Sequence, residues 1–150
     1  MPRIRLQEQA HYEFSFPMTV QKKHLSPADH VGYENIARIL HRTVVYVLQR
    51  LGLQESDLGD GKTGVFEEET LMNFISQAFL GDPLLIEAHI DEISAEGFKI
   101  FHRVTRRGDL IALAENSLVG YDFAKHIRAP IPETFGTALT RHGQGKGVML

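Results

Sequence analysis

A strand-like pattern meets a long helical pattern at His24-Leu25-Ser26-Pro27-Ala28-Asp29-His30-Val31-Gly32-Tyr33-Glu34-Asn35. Before this segment, apolar residues alternate with mostly polar neighbours, which predicts a half-buried strand over Tyr12–Lys22. After it, apolar residues recur at helical spacing and predict a helix from about Pro27 to Leu51, stopped by Gly52. Ionisable groups therefore crowd a helix N-terminus, where unpaired N–H groups and the positive dipole end can stabilise a developing oxyanion.

The start of this helix also has an ordinary structural explanation. Ser26-Pro27-Ala28-Asp29 matches a capping signal, with Ser26 as N-cap, proline at the first helical position and an acid three residues after the cap. Gly32 would then lie in an early helical turn, at a cost of about 1 kcal/mol relative to alanine. Its missing Cβ would let a ligand approach the backbone closely.

The rest of the chain has a β pattern. Residues 54–62 are turn-rich, and the short turns at residues 95–97 and 107–109 demand antiparallel pairing of the strands they join. The predicted strands are Leu71–Phe79, Leu84–Asp91, Phe98–Thr105 and Leu110–Tyr121. One long helix and a four-strand meander, completed by the earlier strand, predict an α+β domain whose antiparallel sheet curls around the helix. The glycine-rich end, residues 136–150, is predicted to be mobile.

Composition narrows the class of protein. A chain of 150 residues with 43% hydrophobic content predicts a single domain over residues 1–150, and a net charge of −3 argues against nucleic acid as a partner. The absence of cysteine excludes disulfides, a thiolate nucleophile and thiolate metal sites. Residues 1–6 lack the apolar run of a signal peptide, and no apolar stretch has membrane-spanning length, so we expect a cytoplasmic protein without a membrane partner. The histidine spacing predicts no metal site.

Several segments, taken in order, resemble the hotdog-fold acyl-CoA thioesterases, particularly the 4-hydroxybenzoyl-CoA thioesterase-like branch. The resemblance covers roughly residues 12–133 and rests on the segments 24–36, 79–84, 109–114, 119–122 and 128–132. It implies a hotdog fold, an acyl-CoA substrate with coenzyme A as part of that substrate, and no separate cofactor. It also implies a homodimer or a dimer of dimers with active sites between subunits, for which Leu71–Phe79 is a candidate edge strand.

The chain departs from this family at the residue that matters most. The family has an Asp-x-Asp pair whose second acid is catalytic, and Ser26 stands there, with His24 at the first position. Serine without a base is a poor substitute because its hydroxyl is hardly ionised at neutral pH. Asp29 occupies a position where the family usually has glycine.

Three residues are therefore predicted to be catalytic. Asp29, the nearest carboxylate, is assigned the acid's function, although it could only complete the capping box. His24 is the second choice for a base, although it could be a surface residue without function. By resemblance, the backbone N–H of Tyr33 is the oxyanion donor, and we expect its side chain to pack in the core.

Substrate binding is assigned to Ser26, His30, Gly32 and Glu68. Glu68 belongs to the acidic run Glu67-Glu68-Glu69, which could reach across a dimer interface or simply be a solvated face. Scattered basic residues could meet the phosphates of coenzyme A, namely Arg103, Arg106, Arg107, Lys125 and Arg128.

Three functions remain open at this point. The first is acyl-CoA thioester hydrolysis. The second is acyl-CoA binding without hydrolysis, because Ser26 replaces the expected acid. The third is a hotdog dehydratase or hydratase, which would need an Asp/His pair that the sequence does not identify. Thiol release from a panel of acyl-CoAs separates the first from the others.

Overall fold

The structure, a computed structural model, describes residues 4–149 and the side chains of residues 4–143. Residues 1–3 of the N-terminal stretch and residue 150 of the predicted tail lie outside the described residues. The elements are β1 (Phe14–Thr19), a short 3₁₀ turn (Lys22–His24), α1 (Tyr33–Arg50), β2 (Thr63–Phe74), β3 (Pro83–Asp91), β4 (Gly97–Arg106), β5 (Asp109–Asp122), β6 (Ile127–Arg128) and α2 (Glu133–Met149).

The strands form one antiparallel sheet in the order β1-β3-β4-β5-β2, with the short β6 also paired to β5. The predicted antiparallel sheet is confirmed, but the four-strand meander is wrong, because only β3, β4 and β5 follow one another. β2 lies on the far side of β5, and the predicted strand Leu71–Phe79 already ends at Phe74. Residues 75 and 76 still donate to Ile111 of β5, and residues 78–82 then leave the sheet and bond to Val20 and Val31. This connection is therefore a crossing loop rather than a tight turn.

The predicted apolar helix packs its long face against one side of the sheet. Its buried residues recur every three or four positions and are Ile36, Leu40, Thr43, Val44, Val47 and Leu48. The N-terminal half packs among β3 and β5 residues such as Ile86 and Ala112, and the C-terminal half packs among β4 and β5 residues such as Ile100 and Leu118. Gly52, at φ +76°, follows the last turn as predicted.

The C-terminal segment forms a helix that the sequence did not predict. Glycines at 136, 143, 145 and 147 lower its helix propensity, which is why the sequence pattern indicated only a mobile tail. One side chain anchors the first turn: Phe135 is 0% exposed and stacks on Phe98 with ring centroids 4.4 Å apart. The mobility of residues 136–150 stays a prediction.

We expect Phe135→Ala to lower the free energy of unfolding by about 3–5 kcal/mol, because it removes a fully buried aromatic ring and leaves a cavity against Phe98. Urea denaturation measures the change. Thr137→Ala, two residues away on the exposed side of α2, is the control and should stay within about 0.5 kcal/mol of wild type. A loss below about 1 kcal/mol for Phe135→Ala would mean that α2 does not close the core.

Candidate functional site

The helix α1 begins at Tyr33, six residues later than predicted, and its N-cap is Gly32 rather than Ser26. Ser26 instead heads a turn, in which its Oγ accepts the Ala28 N–H (3.3 Å) and its carbonyl accepts the Asp29 N–H (3.0 Å). A Ser-Pro-x-Asp sequence serves a turn as well as a helix start, because the serine hydroxyl bonds the backbone two residues on in either case. The predicted capping role of Ser26 and Asp29 is therefore wrong.

Asp29 ends this turn in a left-handed backbone conformation, at φ +64°. That region costs most L-residues about 1–2 kcal/mol and is tolerated best by Gly, Asn and Asp. The resembling family usually has glycine at this position, and the same backbone requirement accounts for both residue types. The Asp29 side chain is exposed, and its carboxylate has no hydrogen-bond partner among residues 4–143.

The first turn of α1 consequently carries free donors. No side chain caps it, and its first hydrogen bonds run from the amides of Asn35 and Ile36 to the Gly32 carbonyl, both 3.1 Å. Within the described part of the chain, the N–H groups of Tyr33 and Glu34 have no acceptor. Together with the helix dipole, these two donors can bind an oxygen that becomes negative.

Three of the predicted site residues do come together at this helix end. A Cβ on Gly32 would lie 3.3 Å from the Ser26 Cβ, so these two residues are in contact. His24 is tied to the helix by its carbonyl, which accepts a 2.7 Å hydrogen bond from Asn35. The Tyr33 side chain is 66% exposed, so the expectation that it packs in the core is wrong. The His30 ring makes a long local contact, with Nδ1 lying 3.4 Å from the Ala28 carbonyl.

The geometry of His24 suits a donor better than a base. Its Nδ1 accepts the Gln21 N–H at 2.8 Å, so a neutral ring carries its proton on Nε2. Burial lowers the pKa of His24, and the nearby Lys23 and Arg42 charges lower it further. At neutral pH, Nδ1 therefore accepts a hydrogen bond and Nε2 carries the proton, so the free edge of the ring presents an N–H.

A groove of about 510 Å³ runs from His24 along the side of α1 that faces β1. Its floor includes Met18, Ile39 and Ile86. Its rim carries three cations, Lys23, Arg38 and Arg42. Among the residues that the structure describes, no acidic residue lines the groove. None of the three makes an ion pair with a residue that the structure describes. The groove therefore combines an apolar floor with an uncompensated positive rim.

The basic residues that the sequence singled out are mostly paired. Arg103 lies 3.0 Å from Glu8 and 2.8 Å from Glu87, and Arg106 lies 2.9 Å from Asp82. Arg128 lies 2.5 Å from Glu68. These acids neutralise the arginines, and Glu68 points to Arg128 rather than to the helix N-terminus of its own chain.

A hydrogen-bonded series of four side chains, here called the buried polar chain, crosses three strands and was not predicted from the sequence. Its members are His102, Asn116, Thr70 and Glu67. His102 on β4 is 1% exposed, and its Nε2 lies 2.5 Å from Asn116 Oδ1 on β5. The Asn116 amide donates to Thr70 Oγ1 (3.1 Å) and to the Glu67 carboxylate on β2. Burial lowers the pKa of His102 to about 4, and the hydrogen bond to Asn116 opposes this shift without cancelling it. The ring is neutral at pH 7, so it donates from Nε2 and fixes the orientation of the Asn116 amide.

One group among residues 4–143 has a composition suited to a metal ion. His11, Glu13 and His89 offer ligand atoms within 4.8 Å of one another, on the sheet face opposite α1. His89 already bonds Glu13 at 2.7 Å through Nδ1 and Asp91 at 3.2 Å through Nε2. These contacts form a complete hydrogen-bonded cluster by themselves, away from the α1 N-terminus.

Comparison with known proteins identifies the family. The model of the thioesterase-like superfamily matches residues 20–139. The chain belongs to this superfamily. In this thioesterase-like protein, the match spans the α1 N-terminus, the buried polar chain and the α1 side of the groove. No curated protein sequence matches it significantly.

Solved structures of hotdog thioesterases resemble the thioesterase-like chain closely. A 1,4-dihydroxy-2-naphthoyl-CoA thioesterase from Synechocystis is 21% identical, with 85% of this chain and 95% of that chain covered and a TM-score of 0.75. A gentisyl-coenzyme A thioesterase is 24% identical (83% and 98% covered, TM-score 0.73). A protein from Staphylococcus aureus in complex with CoA is 19% identical (91% and 87% covered, TM-score 0.78). These likenesses confirm the predicted hotdog fold.

No helix within residues 4–149 of the thioesterase-like chain is both long and apolar enough to cross a membrane.

The neutral, buried His102 predicts a pH dependence of stability. Its pKa is about 4 in the folded protein against 6.5 ordinarily, so the unfolded chain takes up the proton first as the pH falls. The contribution of the neutral ring to the free energy of unfolding is complete above pH 6.5. About 3 kcal/mol of it is lost as the pH falls towards 4. Denaturant unfolding from pH 7 to 4 should show a shallower decline for His102→Gln than for wild type. His126→Asn, at an exposed turn, should follow the wild-type curve, and parallel curves for wild type and His102→Gln would contradict the assignment.

Proposed function

We propose that this protein hydrolyses acyl-CoA thioesters at the N-terminus of α1. One observation carries the proposal: in a chain of the thioesterase-like superfamily, the N–H groups of Tyr33 and Glu34 point out of an uncapped helix start. The thioester carbonyl oxygen becomes negative when water attacks it, and these two donors stabilise that charge. Two similar structures are named as thioesterases of aromatic acyl-CoAs, which supports this substrate class.

Ser26 and Gly32 shape the approach to these donors. Gly32 has no side chain to shield the Tyr33 amide. The Ser26 Cβ lies against Gly32. His24 Nε2–H supplies a further donor beside the groove. The assignments of Ser26, Gly32 and His30 to substrate binding remain proposals, as does that of Asp29 to the carboxylate function. The reaction consumes only water, so the proposal includes no cofactor.

The groove supplies a place for the anionic part of coenzyme A. Lys23, Arg38 and Arg42 line the groove and have no acidic partner in the part of the chain that the structure describes, so phosphate oxygens would complement all three. The groove begins at His24, next to the proposed oxyanion donors, so one ligand can span both. A similar structure with bound CoA supports a ligand of this kind.

We further propose that two copies pair through β2. This strand lies at one edge of the sheet, and its exposed aromatic residues include Phe66 and Phe74. Val65 donates its N–H to the Glu55 carbonyl, so the open edge runs from Phe66 to Phe74. A two-fold dimer, or a dimer of dimers built from it, would cover these residues.

Thiol release from a panel of aromatic and aliphatic acyl-CoAs tests the function. We expect at least one thioester to be cleaved with a stoichiometric yield of free coenzyme A. Tight binding of an acyl-CoA without release would favour a binding protein whose active acid has been replaced by Ser26. Loss of enoyl-CoA absorbance without thiol release would favour a hydratase.

The groove assignment predicts a separate change in KM. Arg38→Glu combined with Arg42→Glu should raise KM for the best acyl-CoA by about 10–100-fold, because two charge-assisted contacts to phosphate are lost. The turnover number should change little, since the thioester does not touch either residue. Lys62→Glu combined with Arg141→Glu removes two exposed cations outside the groove and matches the change in net charge. Equal KM values for the groove variant and this control would place the coenzyme elsewhere.

A further inference from the structure

The three acids of β2 are adjacent in sequence but differ in their surroundings. Glu67 pairs with the buried Leu118 in the register of β2 and β5, and the register shifts by one residue between Glu67 and Glu69. This β-bulge separates the directions of the three side chains. Glu68 bonds Arg128, and Glu69 lies opposite Ser117. Glu67 is the acid that joins the buried polar chain.

The Glu67 carboxylate is held on one side and open on the other. Its Oε1 accepts hydrogen bonds from the Asn116 amide and the Thr70 hydroxyl. Its Oε2 has no partner within the described residues. One oxygen is thus fixed by the sheet while the second is available to take a proton from water.

The buried neighbours make this orientation the stable one. His102 donates from Nε2 to Asn116 Oδ1, which turns the amide N–H towards Glu67. A flipped Asn116 would set its oxygen against the carboxylate, so the histidine selects the supporting rotamer. Within the described residues, His102 Nδ1 is buried without a hydrogen-bond partner, which costs stability.

Glu67 cannot serve the α1 N-terminus of its own chain. Its neighbour Leu118 packs with Val44 and Val47 in the C-terminal half of α1. The helix start lies at the other end of β2, where the loop that follows the strand holds Val31 through Ala78. At 1.5 Å per residue, the eleven residues from Tyr33 to Val44 separate the helix start from the level of Val44 by roughly 16 Å.

Two-fold pairing would place the start of β2 in one copy beside the end of β2 in the other. The open edge runs from Phe66 to Phe74 and is centred on Thr70, so antiparallel pairing along its whole length sets Glu67 of one copy opposite Asn73 of the other. Asn73 is one residue from the end of β2, close to the loop that carries Ala78 and, through it, the start of α1. Pairing therefore brings the open carboxylate of one copy towards the free amides of the other.

We propose that Glu67 of one copy is the general base for a thioester bound at the α1 N-terminus of a second copy, with Asn116, Thr70 and His102 as positioning residues. This inference rests on the proposed function. Glu67 Oε2 takes a proton from water, whose oxygen forms a bond to the thioester carbon. The carbonyl oxygen becomes an anion bound by the Tyr33 N–H. When the anion collapses, the C–S bond breaks, and the proton passes to the thiolate, giving free acid and coenzyme A thiol.

The experiment compares Glu67→Gln, Glu69→Gln and Asp29→Asn in the full chain on the best acyl-CoA. We expect Glu67→Gln to lower kcat by about 10²–10⁴-fold with little change in KM, and to abolish the acidic limb of the pH profile. Glu67→Asp should restore part of the activity. The control Glu69→Gln should stay within about threefold of wild type, because the buried chain does not hold that acid.

Each outcome bears on one claim. If wild type cleaves acyl-CoAs and folded Glu67→Gln does so equally well, the assignment of Glu67 is overturned while the proposed function stands. If Asp29→Asn alone is inactive, the carboxylate is Asp29. If wild type cleaves no thioester, the proposed function fails and this assignment fails with it.

A mixing experiment tests the contribution across the dimer. Glu67→Gln carries an intact α1 N-terminus, and Gly32→Val carries an intact Glu67 while its side chain shields the Tyr33 amide. Equal mixing of these two folded, inactive variants should restore about one quarter of wild-type activity, since half of the dimers then hold one complete site. No restoration would overturn the arrangement between copies.

Discussion

Burial of one face of α1 against the sheet determines the rest of the molecule. Ile36, Leu40, Val44 and Leu48 fix the helix along its whole length, and both halves of the helix pack over β3, β4 and β5. Burying side chains of this kind stabilises the fold by about 1.5–3 kcal/mol each before entropic losses. Because packing along the length holds the helix, its first turn does not need a cap. The unpaired amides at Tyr33 and Glu34 are therefore maintained by residues elsewhere on α1.

Charge is distributed to match this arrangement. On the sheet face opposite α1 and along the strands, arginines meet acids, as Arg103 meets Glu8 and Glu87. Beside α1 the cations stay uncompensated, and the lowered pKa of His24 keeps that ring from adding a further charge. These cations and the positive end of the helix dipole lie on the same side of the sheet, so both would favour an anionic ligand there.

Sequence patterns predicted the elements better than their arrangement. The apolar period of α1 and the turns before β4 and β5 are local signals, and both were interpreted correctly. The position of β2 was not predictable in this way, because residues 75–82 contain no signal that distinguishes a tight turn from a loop crossing to α1. The start of α1 was misplaced because Ser26 and Asp29 fit a cap and a turn equally well, and only packing decides between them.

The candidate site was likewise predictable only where its residues are close together in sequence. His24, Ser26 and Gly32 do meet at one helix end, as their closeness in sequence suggested. The chain from His102 to Glu67 depends on pairing between strands that are 35 residues apart in sequence, which no local pattern reveals. The available signal was the polar Asn116 among Ala112, Ala114 and Leu118, which alternate on the apolar face of β5. The role of Asn116 becomes clear only from the register of β2 and β5, which places it opposite Thr70.

The far edge of the sheet limits how these molecules can associate. β1 carries Pro17 at its middle, and proline has no N–H to offer to an incoming strand. An edge broken in this way resists further strand addition, whereas β2 would be covered in the proposed pairing of two copies. The continuous sheet of such a dimer would end at a proline on both sides. Pro17 would thereby block growth into a fibre, the usual hazard of an exposed strand, from the element farthest from the proposed interface.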